Sequence, residues 1–197
     1  MNTIIKWIQK YSTGRNVAIF FSLNMVFYLA ILLYSIPLVG RSAPSMKLFD
    51  VSPSGYTKEY AVTLLTAIGS EGRDLYLSLQ LPLDFVYPGL FIVSYSLMFA
   101  WLLGKNYDLR SKIHYVLYLP IFAGLFDYLE NVFVILMLKT FPDLSAGLVS
   151  AASFATVAKS ILSSVFFTLL LLSIVQTLWR AAFKRADTAP VPDSRRV

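Results

Sequence analysis

The chain has no cysteine, and its one histidine is His114. Disulfides, thiolate nucleophiles, zinc-thiolate centres and iron-sulfur clusters are therefore excluded. A single chain with one histidine also cannot supply a His-rich metal site or two-His haem ligation. The plentiful Ser and Thr residues have no His partner, which argues against a Ser-His-Asp hydrolase. No Walker loop, G-x-S-x-G elbow, H-E-x-x-H motif or dinucleotide fingerprint occurs. Neither a cofactor nor a metal is expected. His114, beside Tyr115 and Tyr118, reads as an interface residue.

Charge is also scarce. Asp, Glu, Lys and Arg make up 14% of the 197 residues against 57% hydrophobic residues, and the mean hydropathy is +0.65. That is too apolar for an ordinary soluble domain, in which roughly a quarter of residues are charged. The expected fold is an all-α polytopic membrane protein. Four runs are long enough to cross about 30 Å of hydrocarbon at about 1.5 Å per residue: Val17 to Leu38, Leu83 to Leu103, Tyr115 to Leu138 and Ala151 to Leu178. The last is the longest and should tilt or project into the interface. The first follows Lys6, Lys10 and Arg15, but it exceeds the roughly 7–15 residues of a signal-peptide core and no clean A-x-A site follows. It reads as a retained helix.

Orientation follows from the basic residues. Lys6, Lys10 and Arg15 precede the first span, Lys105, Arg110 and Lys112 lie between the second and third, and Arg180, Lys184, Arg185, Arg195 and Arg196 follow the fourth. The loop between the third and fourth spans carries only Lys139, offset by Asp143. Both termini are expected in the cytoplasm, and the clean basic asymmetry with the absence of targeting signals points to a bacterial inner membrane. The formal charge of +6 is then mostly topological bias, and nucleic acid is not an expected partner. Membrane lipid is, and so narrow a bundle leaves room for a homo-oligomer or a larger membrane complex.

Residues 1–185 form one domain in this reading, followed by a disordered cytoplasmic tail over 186–197. Near the N-terminus, Ile4, Ile5, Ile8 and Tyr11 share a helical face, with Trp7 at its edge and Lys6 and Lys10 opposite, the pattern of a helix on the membrane surface. After the first span, Pro37, Gly40, Pro44, Pro53 and Gly55 predict an irregular exposed loop from Arg41 to Gly55. The spacing of Tyr60, Ala61, Leu64, Leu65, Ile68, Leu75 and Leu79 predicts an amphipathic helix over 57–81 on the outer side, with Pro82 opening the second span. Tyr107, Tyr115, Tyr118 and Trp179 look like an aromatic belt.

The third span holds the costliest residues. Asp127, Glu130 and Asn131 lie within one helical turn and, being three and four apart, share a face. An ionised Asp at the centre of a spanning helix costs roughly 2.5–3.5 kcal/mol, so such residues face the bundle interior. Asp84 and Tyr87 fall in the first turns of the second span, and Lys159 in the outer half of the fourth. Asp84, Asp127, Glu130, Asn131 and Lys159 are therefore expected to meet in the outer half of the bundle, with Asn24 of the first span as a fourth wall. Small residues along Ala151 to Ser160 let the fourth helix approach closely. Glu71, Arg73 and Tyr76 are placed over the cluster as a lid. Three carboxyls against one buried Lys call for a shared proton, Arg73 or a bound cation. Three roles stay open: holding the helices together, acid/base chemistry by Asp127 and Glu130 with Lys159 as stabiliser, or binding an ion, proton or lipid headgroup. The expected function is a lipid- or small-molecule-binding membrane subunit. The alternative is a membrane-embedded isomerase or hydrolase acting on a lipid-soluble substrate.

The strings Gly69-x-Glu-Gly-Arg-x-x-Tyr76, Asp84-Phe-x-Tyr-Pro88, Phe126-Asp-x-x-Glu-Asn131 and Thr156-x-x-Lys159 resemble the pattern of a widespread family of small bacterial four-helix membrane proteins. The resemblance covers most of residues 56 to 165. It implies the four-helix fold and carries no activity, so it adds no role to any residue.

Overall fold

The computed structural model describes residues 3–108 and 111–187. The described residues contain helices and no strand. Four of the helices are long and apolar enough to cross a membrane. In chain order the helices are α1 (Thr3–Tyr11), α2 (Gly14–Ser42), α3 (Lys58–Ala67), α4 (Gly69–Asn106), α5 (Lys112–Thr140) and α6 (Ala146–Asp187). The spans are α2, α4, α5 and α6. The tail from 188 onward, where disorder is expected, lies outside the described residues.

Local signals account for the helix starts. Thr13 caps α2 by accepting the Asn16 N–H at 3.3 Å, and Thr57 caps α3 by accepting the Tyr60 N–H at 3.2 Å. Ser145 does the same ahead of α6, accepting the Leu148 N–H at 3.1 Å. Each hydroxyl satisfies one of the N–H groups that a helix start leaves without an internal partner. Two spans are interrupted by a wider π-type turn, over Ile31–Ser35 in α2 and Tyr76–Gln80 in α4.

The helix expected over 57–81 is not one element. It breaks between Ile68 and Gly69, where Gly69 takes a φ of +70° that L side chains rarely adopt. Only α3 lies apart. Residues from Gly69 onward run directly into the second span, giving 38 residues and a length of about 57 Å. The loop from Arg41 to Gly55 also differs from its expected exposure. Ala43, Leu48 and Phe49 are buried, packed with Leu64, Leu65 and Ile68 of α3 and with Val134 and Met137 of α5. Its apolar side chains fold it back over the bundle end.

At the other end, Ile5 and Ile8 of α1 are buried in a second apolar cluster with Phe91, Tyr95, Phe99 and Phe166, while Ile4 and Trp7 stay exposed. The helix therefore docks on the bundle by one narrow stripe. His114 is buried, with Nε2 3.2 Å from the Asp108 carbonyl oxygen, so it is not an open interface residue.

Around the bundle α2 packs on α4, α4 on α5, and α5 on α6, while no comparable packing joins α2 to α6. Between the two apolar clusters lies a polar layer, open on the side where α2 and α6 diverge.

Candidate functional site

The α5 face carrying Asp127, Glu130 and Asn131 turns inward, and all three are buried. From α6, Thr156 and Lys159 are three apart and meet that face. The Lys159 ammonium donates to Asp127 Oδ1 at 3.0 Å and pairs with Glu130 Oε2. Thr156 donates its hydroxyl to Glu130 Oε1 at 2.6 Å. Glu130 is thus enclosed by two α6 partners. From α5, the Asn131 amide crosses to α4 and donates to the Asp84 carbonyl oxygen at 2.7 Å. That bond fixes the α4 backbone and leaves the Asp84 carboxyl unengaged: Asp84 is 5% exposed and its Oδ2 has no hydrogen-bond partner.

A second group of polar side chains reaches this layer from the loop and the two π turns. Asp50, in the short helical turn Phe49–Val51, accepts from the Tyr76 hydroxyl at 2.8 Å and from Gln80 Nε2 at 3.2 Å. The other end of the Gln80 amide accepts from the Ser35 hydroxyl. Ser35 and Gln80 close the two π turns, so the irregularities in α2 and α4 meet there; π turns recur at functional sites. Burial pushes the Asp50 carboxyl above the ordinary carboxylate value, opposed by the Lys159 ammonium and the Tyr76 hydrogen bond. The loop is tied to α6 as well, by the Tyr56 N–H donating to Ser153 Oγ at 2.9 Å.

A cavity of about 280 Å³ lies inside this layer. Its polar wall is Asp50, Asp84, Asp127, Lys159, Ser160 and Ser163, and rings of Tyr28, Tyr87, Phe91 and Phe167 line it from three spans. Ile31, Leu32 and Ile36 of α2 complete its lining. Tyr28 and Leu32 are exposed on the bundle surface, among the apolar side chains that a span presents to lipid. The cavity is therefore a lateral cleft with a polar floor and an apolar mouth.

Asp84, Tyr87, Asp127 and Lys159, all expected at the site, line the cleft. Glu130 and Asn131 stand behind it. The three residues assigned to a lid separate. Tyr76 enters the polar layer through Asp50, but Glu71 is exposed, and Arg73 turns away to donate to the Leu65 carbonyl oxygen at 2.7 Å with its guanidinium 4.7 Å from the Phe141 ring. The roof is instead the Asp50 turn. Asn24 is buried with both amide atoms unpartnered, and it is not a cleft wall. Sequence reasoning missed Asp50, Gln80, Ser35 and every ring of the wall except Tyr87; an Asp set between Phe49 and Val51 was the available signal. Among the described residues, no group of three His, Cys, Asp or Glu side chains is placed to hold a metal ion.

The fold and the site define an all-helical integral membrane protein with a polar layer inside a four-span bundle. No protein-family model, no curated protein and no solved structure matches the chain.

Proposed function

We propose that the protein binds a membrane-dissolved lipid or small molecule, whose polar group enters the cleft between α2 and α6. The observation that carries this reading is the cleft itself: about 280 Å³ of space beside Asp84, Asp127 and Lys159, entered past exposed apolar residues of α2. A polar network that served only to join helices would be closed and fully paired. This one keeps an unpartnered carboxyl and a cavity beside it. Its volume suits a head group, with the apolar remainder left among lipid chains.

Native mass spectrometry of protein released from mild detergent tests the proposal. Wild type should retain a specific adduct that is lost in Ser163→Phe, which fills the cleft from α6. Equal adducts at equal occupancy in both proteins would overturn it.

Acid/base catalysis on a lipid-soluble substrate is the second reading, and Asp84 favours it. Asp127 and Glu130 are both held by Lys159, which does not suit a pair that exchanges one proton. Asp84 is the carboxyl free to accept or release one. Recovery of a chemically altered ligand from wild type, and of its unaltered precursor from Asp84→Asn, would establish this reading.

A further inference from the structure

We infer that the cleft recognises the positively charged nitrogen of an organic amine or quaternary ammonium, seated between Asp84 and the rings of Tyr28, Tyr87, Phe91 and Phe167. This rests on the ligand-binding reading above and specifies the chemistry of the ligand.

Three independent observations converge on it. The first is charge. Asp50, Asp84 and Asp127 line the cleft and Glu130 lies behind Asp127, while the cation among the walls is Lys159, whose ammonium is engaged by Asp127 and Glu130. Lys159 is thus committed to Asp127 and Glu130, and the other acidic side chains of the cleft, Asp50 and Asp84, have no ion-pair partner among the described residues. The second is the Asp84 carboxyl, buried, lining the cavity and with Oδ2 unpartnered; Asp50 Oδ1 is likewise buried without a partner. A buried acceptor without a donor costs free energy that a ligand donor or cation recovers.

The third is the ring wall. Tyr28 and Tyr87 have centroids 6.0 Å apart, Tyr87 and Phe91 6.0 Å, and Phe91 and Phe167 6.1 Å. The four rings follow one another along the cleft lining, with Tyr87 and Phe91, and Phe91 and Phe167, set edge to face. Aromatic rings attract cations through the ring quadrupole, and quaternary ammonium groups are recognised by clusters of such rings. A compact inorganic cation would need oxygen ligands converging on one point, which this arrangement does not provide among the described residues. An anionic head group would face three carboxyls. The apolar mouth at Leu32 and Ile36 accommodates an alkyl chain leaving the nitrogen toward lipid.

The test uses three photoreactive probes with one alkyl chain and different heads, trimethylammonium, hydroxyl or sulfate, presented to purified full-length protein in neutral maltoside micelles. Labelled peptides are mapped by mass spectrometry. The ammonium probe should label the cleft segments around Leu32 and Ser163 about tenfold more than the hydroxyl probe, a factor corresponding to about 1.4 kcal/mol. Asp84→Asn should bring the two probes to near parity, and Tyr87→Leu should weaken the preference even if Asp84→Asn proves unstable. Equal labelling of the cleft by ammonium and hydroxyl probes would overturn the inference while leaving ligand binding intact. A preference for sulfate, or an ammonium preference unchanged in both variants, would also overturn it. If no probe labelled the cleft above the exposed α6 surface at Leu171 and Leu172, the ligand-binding reading itself would fail. Competition separates the sources of the nitrogen: erasure by choline supports a soluble amine, and erasure only by a long-chain ammonium supports a membrane amphiphile.

Discussion

The hydroxyl of Tyr76 donates to Asp50 at 2.8 Å, joining a loop outside the spans to the π turn of α4. The contact brings a loop carboxyl into the roof of a cleft otherwise built from transmembrane helices, where burial raises its pKa.

Burial raises the Asp50 pKa above 3.8, with Asp127 adding to the rise and Lys159, Tyr76 and Gln80 opposing it. The folded state then keeps a proton that the unfolded chain releases near pH 3.8. The stability linked to that proton is complete below this value and declines as pH rises through the folded pKa. Asp50→Asn should remove the decline. Thermal melts from about pH 4 to about pH 7 should show the wild type losing ground against the variant as pH rises, by about 1.4 kcal/mol for each unit of pKa shift. Parallel curves would show that Asp50 does not titrate differently in the fold.

The Asp50 roof also marks where sequence reasoning ended. Helical periodicity carries depth, so the residues of α4, α5 and α6 that share a level were legible from their spacing along each span. Gln80 and Ser35 lie on π turns, where the 3.6-residue period slips and a face assignment is lost, while Tyr76, on the same turn as Gln80, is placed over the cluster by the sequence. Asp50 lies in a loop without periodicity, placed by Leu48 and Phe49 packing under α3. The aromatic wall was equally hidden, because Tyr28, Phe91 and Phe167 look like ordinary span residues until three helices set them side by side.

Arg73 tests which segment forms the roof. Its guanidinium holds the Leu65 carbonyl at the end of α3 and covers the Phe141 ring, away from the cleft. Arg73→Gln should cost about 1 kcal/mol through the lost charged hydrogen bond and ring contact. Labelling of the cleft by the ammonium probe should stay at the wild-type level. A selective loss of labelling at unchanged melting temperature would return Arg73 to the site.

Gly124 sets the closeness of α4 and α5. A Cβ built there lies 3.1 Å from the Pro88 carbonyl oxygen and collides with the Ile92 side chain. The backbone atom cannot move without shifting α4, so Gly124→Ala should destabilise the protein by roughly 1–3 kcal/mol, the usual cost of overpacking. The melting temperature in detergent measures this. An unchanged value would mean that the two helices separate freely.

Lys159 compensates two carboxyls at once, Asp127 at 3.0 Å and Glu130, in the polar layer between two apolar clusters. Removing the cation alone leaves both carboxyls without a counter-charge where water is scarce. Lys159→Leu should therefore lose about 3–5 kcal/mol, the cost of breaking one side of a buried ion pair. The loss belongs to the stranded carboxyls rather than to the missing attraction. The triple variant Lys159→Leu, Asp127→Asn, Glu130→Gln should consequently recover most of the stability, because the amides keep the shape and Thr156 still has an oxygen to donate to at position 130. Chemical or thermal unfolding of wild type, single and triple variants in one detergent decides it. A triple variant as unstable as the single one would mean that Lys159 contributes by packing against α5, and that the charge balance of the layer does not govern the fold.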